Sequence, residues 1–286
     1  MIGESTTQYA LCCTSVDKSY NPLARREMVV QLTLDKTTLV LFSTAGSLVV
    51  LFLLAPLLLT AVTADYQLVA SSVAKREVLE AFANTLVAAS LSTLVLTAVG
   101  VPLAYLLARC QFKGRQLVEA IVDLPLALPH AVAGVLVLVA YGSRAPVGSL
   151  LAQAGLAIED RLAGVVLAMA YVSAPFLVDS AKDGFKSIDP MLEHVARTLG
   201  ATPLRVSTYI SLPLAGRSIA TGALLSWARA VSEVGALLIV AYYPKTVNIL
   251  IVEWFNTYGL AYAKALTIPL LALCILVFTL IRLSER

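Results

Sequence analysis

The stretch AFANTLVAASLSTLVLTAVGVPLAYLLA, residues 81–108, contains no charged side chain. About 20 apolar helical residues cross the roughly 30 Å hydrocarbon core of a bilayer, so this stretch predicts a membrane-spanning helix. The alternating pattern of a transmembrane β-barrel is absent. Comparable runs elsewhere predict an all-α integral membrane protein with six transmembrane helices, at about 38–62, 83–109, 120–141, 162–180, 214–243 and 260–282.

The composition supports a membrane protein and excludes several soluble classes. Of the 286 residues, 59% are hydrophobic and 14% are charged, whereas about a quarter of a soluble domain is charged. A net charge of +3 is too small for a nucleic-acid-binding surface. The four cysteines have no ligand spacing, so we expect neither a disulfide framework nor a metal site.

The distribution of lysine and arginine predicts the orientation. These residues concentrate in the first 36 positions, in the 109–115 and 181–213 loops and after the last span. The positive-inside rule therefore predicts a multi-pass protein of the cell membrane with both termini in the cytoplasm. Residues 1–35 form a polar cytoplasmic tail without a signal-peptide pattern, and Met28 is an alternative start site. The transmembrane domain is predicted to cover 36–286.

The 181–213 loop has the pattern of two short helices joined by a turn. Asp189-Pro190 favours a helix start, and Gly200 favours a helix end. Thr202 favours the start of a second helix. The first helix places apolar side chains at helical spacing, so the loop is either a surface-lying segment or a docking element for a soluble partner.

The same loop resembles the cytoplasmic "EAA" loop of ABC importer permeases. The family pattern is E-A-A, three residues, glycine, nine residues and I-x-L-P. In this chain His194-Val195-Ala196 stands at the triplet and Glu193 precedes it, so the role of the family's glutamate falls to Glu193 or is absent. The glycine and the last motif match without a gap; the residues that we assign to ATPase coupling are Glu193, His194, Val195, Ala196, Leu199, Gly200, Ile210, Leu212 and Pro213.

Two further segments extend the resemblance to about 38–283. IVDLPLALPHAVAG, 121–134, and SWARAVSEVGA, 226–236, are similar to the molybdate/tungstate branch of these permeases. Together with Ala241-Tyr242-Tyr243-Pro244 they resemble its archaeal-type members. Sulfate permeases share the second segment and are the near alternative. The resemblance implies a homodimeric pathway, two ATPase subunits beneath it, an external substrate-binding protein and contact with membrane lipid. The chain has no G-x-x-x-x-G-K-[ST] motif, so we expect ATP and Mg²⁺ to be used by the partner subunit and no cofactor to bind here.

Charged and polar residues inside the predicted spans are candidates for the translocation pathway. Arg229 and Glu233 lie four residues apart in the fifth span and can pair on one helix face. The pair is either a structural neutralisation or a gate. A second group is predicted at the mouth of the third span, where two prolines bend the helix. The full set of pathway or gate candidates is Ser226, Arg229, Ser232, Glu233, Asp123, Pro129 and His130.

A membrane-embedded transferase is the more distant alternative. Such an enzyme needs paired carboxylates or a nucleophile and a base near the membrane surface. The aspartates at 179, 183 and 189 are spread along a connecting segment. The sequence therefore favours transport over catalysis.

Overall fold

In a computed structural model the described residues, 36–155 and 157–284, form helices and no strand. The predicted tail and its alternative start lie outside them. The helices are α1 Lys36–Val62, α2 Tyr66–Val73, α3 Arg76–Arg109, α4 Arg115–Ala127, α5 His130–Tyr141, α6 Pro146–Gln153, α7 Leu162–Lys186, α8 Pro190–Thr198, α9 Pro203–Val206, a π-helical turn Ser207–Ser211, α10 Leu212–Leu214, α11 Gly216–Val231, α12 Leu237–Val240, α13 Val247–Tyr258 and α14 Leu260–Ser284.

Within the described residues, four helices are long and apolar enough to cross a bilayer. They are Thr37–Val62, Arg76–Arg109, Leu162–Lys186 and Leu260–Thr279. Helices α5 and α6, which are bent by 68° at the break between them, count as a fifth if they form one span. Four of the six predicted spans therefore coincide with single helices, and the third and fifth do not.

The third predicted span, 120–141, is wrong as a continuous helix. Helix α4 ends at Ala127 and α5 begins at His130. Leu128 has an extended backbone with φ −82° and ψ 138°, because the ring of Pro129 disfavours the helical conformation in the residue before it. Pro125, by contrast, stays inside α4.

The fifth predicted span, 214–243, is also divided. Helix α11 ends at Val231 and the short α12 begins only at Leu237. The amide of Asn248 donates hydrogen bonds to the carbonyls of Val231 (2.6 Å) and Glu233 (3.1 Å). Carbonyls at a helix end need such hydrogen-bond donors. Asn248 lies in α13, a helix that hydropathy alone did not predict.

Contacts divide the chain after Pro56 into two units. The described part of the first unit is the portion of α1 before Leu57. In the second unit, α7 packs against α3 and α11. One buried cluster includes Ala88, Met169 and Ala230, and another, towards the end of α3, includes Leu107 and Phe185.

The turn that precedes α6 is expected to weaken at low pH. The backbone N–H and the hydroxyl of Ser143 both donate to Oε1 of Glu159, and these hydrogen bonds lower the pKa of that carboxyl. Because the pKa is lowered, the ionised carboxylate stabilises the turn fully at pH values above the ordinary pKa of glutamate. This stabilisation is lost as the pH falls through the lowered pKa. Hydrogen exchange of Ser143-containing peptides, corrected for intrinsic rates, should accelerate over that range. Glu159→Gln should remove the pH dependence, and an unchanged profile in that variant would contradict the assignment.

Candidate functional site: a charged helix break and a helical elbow

Three predicted pathway residues meet where α11 ends and α5 begins. Nη2 of Arg229 donates to Oε2 of Glu233 at 2.8 Å and lies 2.8 Å from Nδ1 of His130. Arginine can only donate, so Nδ1 of His130 is the acceptor in this contact, and the same Nδ1 lies 3.4 Å from Oε2 of Glu233. The Glu233 side chain is 1% exposed and that of Arg229 is 17% exposed, whereas that of His130 is 56% exposed. We call Arg229, Glu233 and His130 the charged break.

The backbone around the charged break holds the carboxylate in place. Oε1 of Glu233 accepts a 2.7 Å hydrogen bond from the N–H of Ala236. Glu233 therefore has a donor on each oxygen, one from the side chain of Arg229 and one from the backbone. A hydrogen bond between a guanidinium and a carboxylate is shorter and stronger than one between neutral groups. Arg229 itself lies in the last turn of α11, where the helix dipole favours a cation.

Gly134 allows α5 to approach this segment closely. A Cβ atom there would lie 2.8 Å from the carbonyl oxygen and 2.9 Å from the Cα of Ala236. Both atoms belong to the backbone that donates to Glu233, so the added methyl would displace the N–H of Ala236.

We expect Gly134→Ala to destabilise the chain by about 1–3 kcal/mol, the usual cost of overpacking. Thermal unfolding of the purified protein measures this effect. Gly216→Ala is the matched control, because no atom lies within 4 Å of a Cβ at Gly216. Equal stability of the two variants would show that the close approach at Gly134 is unimportant.

The remaining pathway candidates are not all at the charged break. Ser232 is exposed and its Oγ lies 3.4 Å from Nη1 of Arg229. Ser226 is fully buried in α11 and its Oγ has no hydrogen-bond partner within the described part of the chain. Pro129 is the N-cap of α5 and directly precedes the histidine of the charged break.

Asp123 does not join His130, contrary to the predicted cluster. It lies in α4, which packs against α7, and its electrostatic partners are Asp179 and Lys182 of that helix. Lys182 donates to Asp179 at 2.6 Å. The break at Leu128 places the two residues in separate helices, and only α5 also packs against α12.

The two short helices of the 181–213 loop form as their sequence predicts. The carboxylate of Asp189 caps α8 by accepting from Met191 N–H at 2.9 Å, and Pro190 is the first helical residue. Gly200 follows α8 with a φ of +88°, a conformation that L-residues rarely adopt. Thr202 caps α9. We call residues 189–206 the helical elbow.

The helical elbow presents an apolar surface. Leu192, Val195 and Leu199 of the predicted coupling set are 50%, 49% and 83% exposed. His194 is exposed and Ala196 is half-buried. Ile210 lies in the π-helical turn, and Leu212 and Pro213 lie in α10. An exposed apolar patch with a polar surround marks an interaction site.

Glu193 points inward, away from that surface, and its side chain is 12% exposed. Its Oε1 accepts from Nε of Arg109 and from Oγ of Ser211, both at 2.8 Å. Neither partner was among the predicted site residues. Ser211 could have been noticed in the sequence, because it occupies the variable position of the I-x-L-P motif. Nothing local in the sequence connects Arg109 to Glu193, 84 residues away.

The described residues contain no group of three His, Cys, Asp or Glu side chains that could hold a metal ion. The features that the chain does provide are several apolar helices, an ion pair at a helix break and an exposed helical elbow. Together they describe a helical membrane protein with polar groups inside its bundle. The profile of the binding-protein-dependent transport system inner membrane component family matches residues 100–286, and the chain belongs to that family.

Curated relatives of this chain carry names that state what they transport. The chain is 42% identical to the molybdate/tungstate transport system permease protein WtpB of Pyrococcus abyssi, over 86% of this chain and 94% of that one. Identity to the protein of the same name from Pyrococcus furiosus is 43%, over 84% and 92%. The sulfate transport system permease protein CysT of Synechocystis is 30% identical over 71% and 72%.

Among solved structures, the fold is similar to that of a bacterial alginate ABC transporter crystallised in complex with an alginate pentasaccharide-bound periplasmic protein. The TM-score is 0.67 at 20% identity, over 88% of this chain and 95% of that one. At this identity the likeness concerns the fold alone. The chain is therefore a multi-pass membrane subunit with an ABC importer fold.

Proposed function

We propose that this chain is the permease subunit of an ATP-driven importer of molybdate and tungstate. Two copies form the pathway, two ATPase subunits bind beneath them and an extracytoplasmic binding protein delivers the oxyanion. Both termini lie in the cytoplasm and six segments cross the membrane, two of them as broken helices. The 42–43% identity to archaeal permeases named for this transport, over most of both chains, carries the substrate assignment.

The helical elbow is the ATPase-coupling element in this proposal. Its exposed leucines and valine suit an apolar cleft of a soluble subunit. The positive φ at Gly200 sets the direction of α8 relative to α9 and hence the angle at which the patch meets its partner. The elbow connects through the π-helical turn and α10 to α11, which is the helix that ends at the charged break.

The charged break is the gate. Irregular backbone at membrane depth is tolerated where it lines a cavity or is buried in protein. Here the carboxylate of Glu233 accepts from the guanidinium of Arg229 and from the N–H of Ala236. The same two donors would equally bind a tetrahedral oxyanion. An incoming oxyanion competes with that carboxylate for Arg229, after first contact with the exposed His130 and Ser232. Because Glu233 partly neutralises Arg229, the anion is held only weakly, as conduction requires.

ATP-dependent uptake into vesicles tests the proposal. The complete complex, with its ATPase subunits inside and its substrate-binding protein outside, should accumulate labelled molybdate and tungstate faster than sulfate. Vesicles loaded with a non-hydrolysable ATP analogue are the control. Absence of uptake of all three anions would reject the function.

Sulfate is the alternative substrate, supported by the 30% identity to a sulfate permease. The three anions share a tetrahedral shape and a double negative charge. Uptake in which sulfate exceeds molybdate and tungstate would decide for this alternative.

A further inference from the structure

Helix α8 is held by polar rather than apolar contacts. None of its residues is buried, so packing of apolar side chains does not anchor it to the bundle. Its inward polar side chain is that of Glu193. The carboxylate accepts from Arg109 and from Ser211, each at 2.8 Å, and Nη2 of Arg109 also donates to the carbonyl of Ile188 at 3.1 Å.

The partners of Glu193 belong to two different structural elements. Arg109 is the last residue of α3. Ser211 is the last residue of the π-helical turn, directly before α10 and α11. Isolated π-helical turns within helical segments occur frequently at functional sites. One carboxylate oxygen of α8 is therefore bonded at once to the end of α3 and to the segment that leads into α11.

Arg109 is suited to this arrangement by the shape of its side chain. Its guanidinium binds the carboxylate through Nε and the carbonyl of Ile188 through Nη2, which a lysine ammonium cannot reproduce in the same geometry. The side chains of Arg109 and Glu193 are 14% and 12% exposed, so water screens the pair only weakly. Ile188 lies in the buried cluster with Leu107 and Phe185. Its carbonyl therefore ties the guanidinium of Arg109 to the core.

We infer that Arg109 is a positioning residue for energy coupling: with Glu193 and Ser211 it forms a clamp that makes α8 move together with α3 and α11. The inference rests on the proposed function, because it assumes that an ATPase subunit moves the helical elbow. Glu193 then acts inside the permease, and the ATPase meets the apolar face of the elbow and His194. Displacement of α8 reaches the charged break through α11.

The test compares ATP hydrolysis by the reconstituted complex with and without the loaded substrate-binding protein. The ratio of these two rates does not depend on the amount of folded complex, so a merely structural loss does not change it. Arg109→Lys and Glu193→Gln should each lower the ratio at least about fivefold, within the usual range of coupling between sites. Ser211→Ala, which removes only the hydroxyl donor to Glu193, should also lower the ratio, but less.

Arg115 and Glu119 of α4 provide the matched control. They form an ion pair at 3.3 Å with side chains 18% and 25% exposed, close to the exposure of the clamp. Arg115→Lys and Glu119→Gln should leave the ratio unchanged. Loss of stimulation in these variants as well would show a general sensitivity to charge and overturn the inference.

The outcomes separate the clamp from the proposed function. A wild-type ratio in Arg109→Lys and Glu193→Gln overturns the clamp and leaves the importer intact. If these variants do not assemble, Ser211→Ala decides: a lowered ratio supports the clamp, and a wild-type ratio overturns it. A wild-type complex that shows neither stimulation nor oxyanion uptake rejects the proposed function, and the clamp with it.

Discussion

A complex that carries Gly200→Val is expected to insert and assemble, yet to lose about nine-tenths of its stimulated ATP hydrolysis. Gly200 has a φ of +88°, and a left-handed conformation costs an L-residue about 1–2 kcal/mol, more for a β-branched one. A side chain there meets no atom within 4 Å, so the cost is conformational and not a clash. The backbone relaxes by changing the angle of the elbow, and a penalty near 1.4 kcal/mol is a tenfold shift in population.

Two controls isolate the conformation at Gly200. Gly200→Asn should keep most of the stimulation, because asparagine tolerates the left-handed region better than other residues. Gly155→Val changes another glycine with positive φ, +81°, and open surroundings, but it lies outside the elbow and should not affect hydrolysis. Wild-type oxyanion import by the Gly200→Val complex would show that the elbow is not a coupling element.

Removal of one partner of the charged break should destabilise the chain severely. In Arg229→Ala the carboxylate of Glu233, 1% exposed, loses its cationic partner, and in Glu233→Ala the guanidinium is stranded at the helix break. An uncompensated buried charge costs about 3–5 kcal/mol. Expression level and thermal unfolding of each single variant measure this cost.

The double variant distinguishes a structural pair from a gate. Arg229→Ala with Glu233→Ala removes both charges and should recover assembly, since no charge is left unpaired. Under the gate mechanism, transport stays low in the recovered complex. Recovery of both assembly and uptake would leave a structural role only. A double variant as unstable as the single ones would contradict mutual neutralisation.

His130 should modify this result in a way that the fifth span alone does not predict. Nδ1 of its ring lies 2.8 Å from Nη2 of Arg229, so the guanidinium has a second acceptor besides the carboxylate. Loss of the carboxylate destabilises the chain less when the guanidinium keeps one hydrogen-bond acceptor. The single Glu233→Ala change is therefore expected to be milder than Arg229→Ala.

The sequence by itself determined the features that depend on residues close together in the chain. Long charge-free runs specify helices because a bilayer leaves the backbone no other partners than its own. The capping residues Asp189 and Thr202 and the turn at Gly200 follow from hydrogen bonds and φ values within a few positions. Arg229 and Glu233 are brought close because only four positions separate them, although Glu233 lies beyond the end of α11 at Val231 and not on the same helix face.

The tertiary structure alone decided which distant residues complete these local features. The fifth predicted span breaks where Asn248, a distant neighbour, satisfies the carbonyls at the end of α11, and hydropathy does not contain that information. Arg109 meets Glu193 across 84 residues, and His130 meets Arg229 across 99. Such contacts depend on how the helices pack, which is set by the shapes of all their buried faces together and not by any one segment.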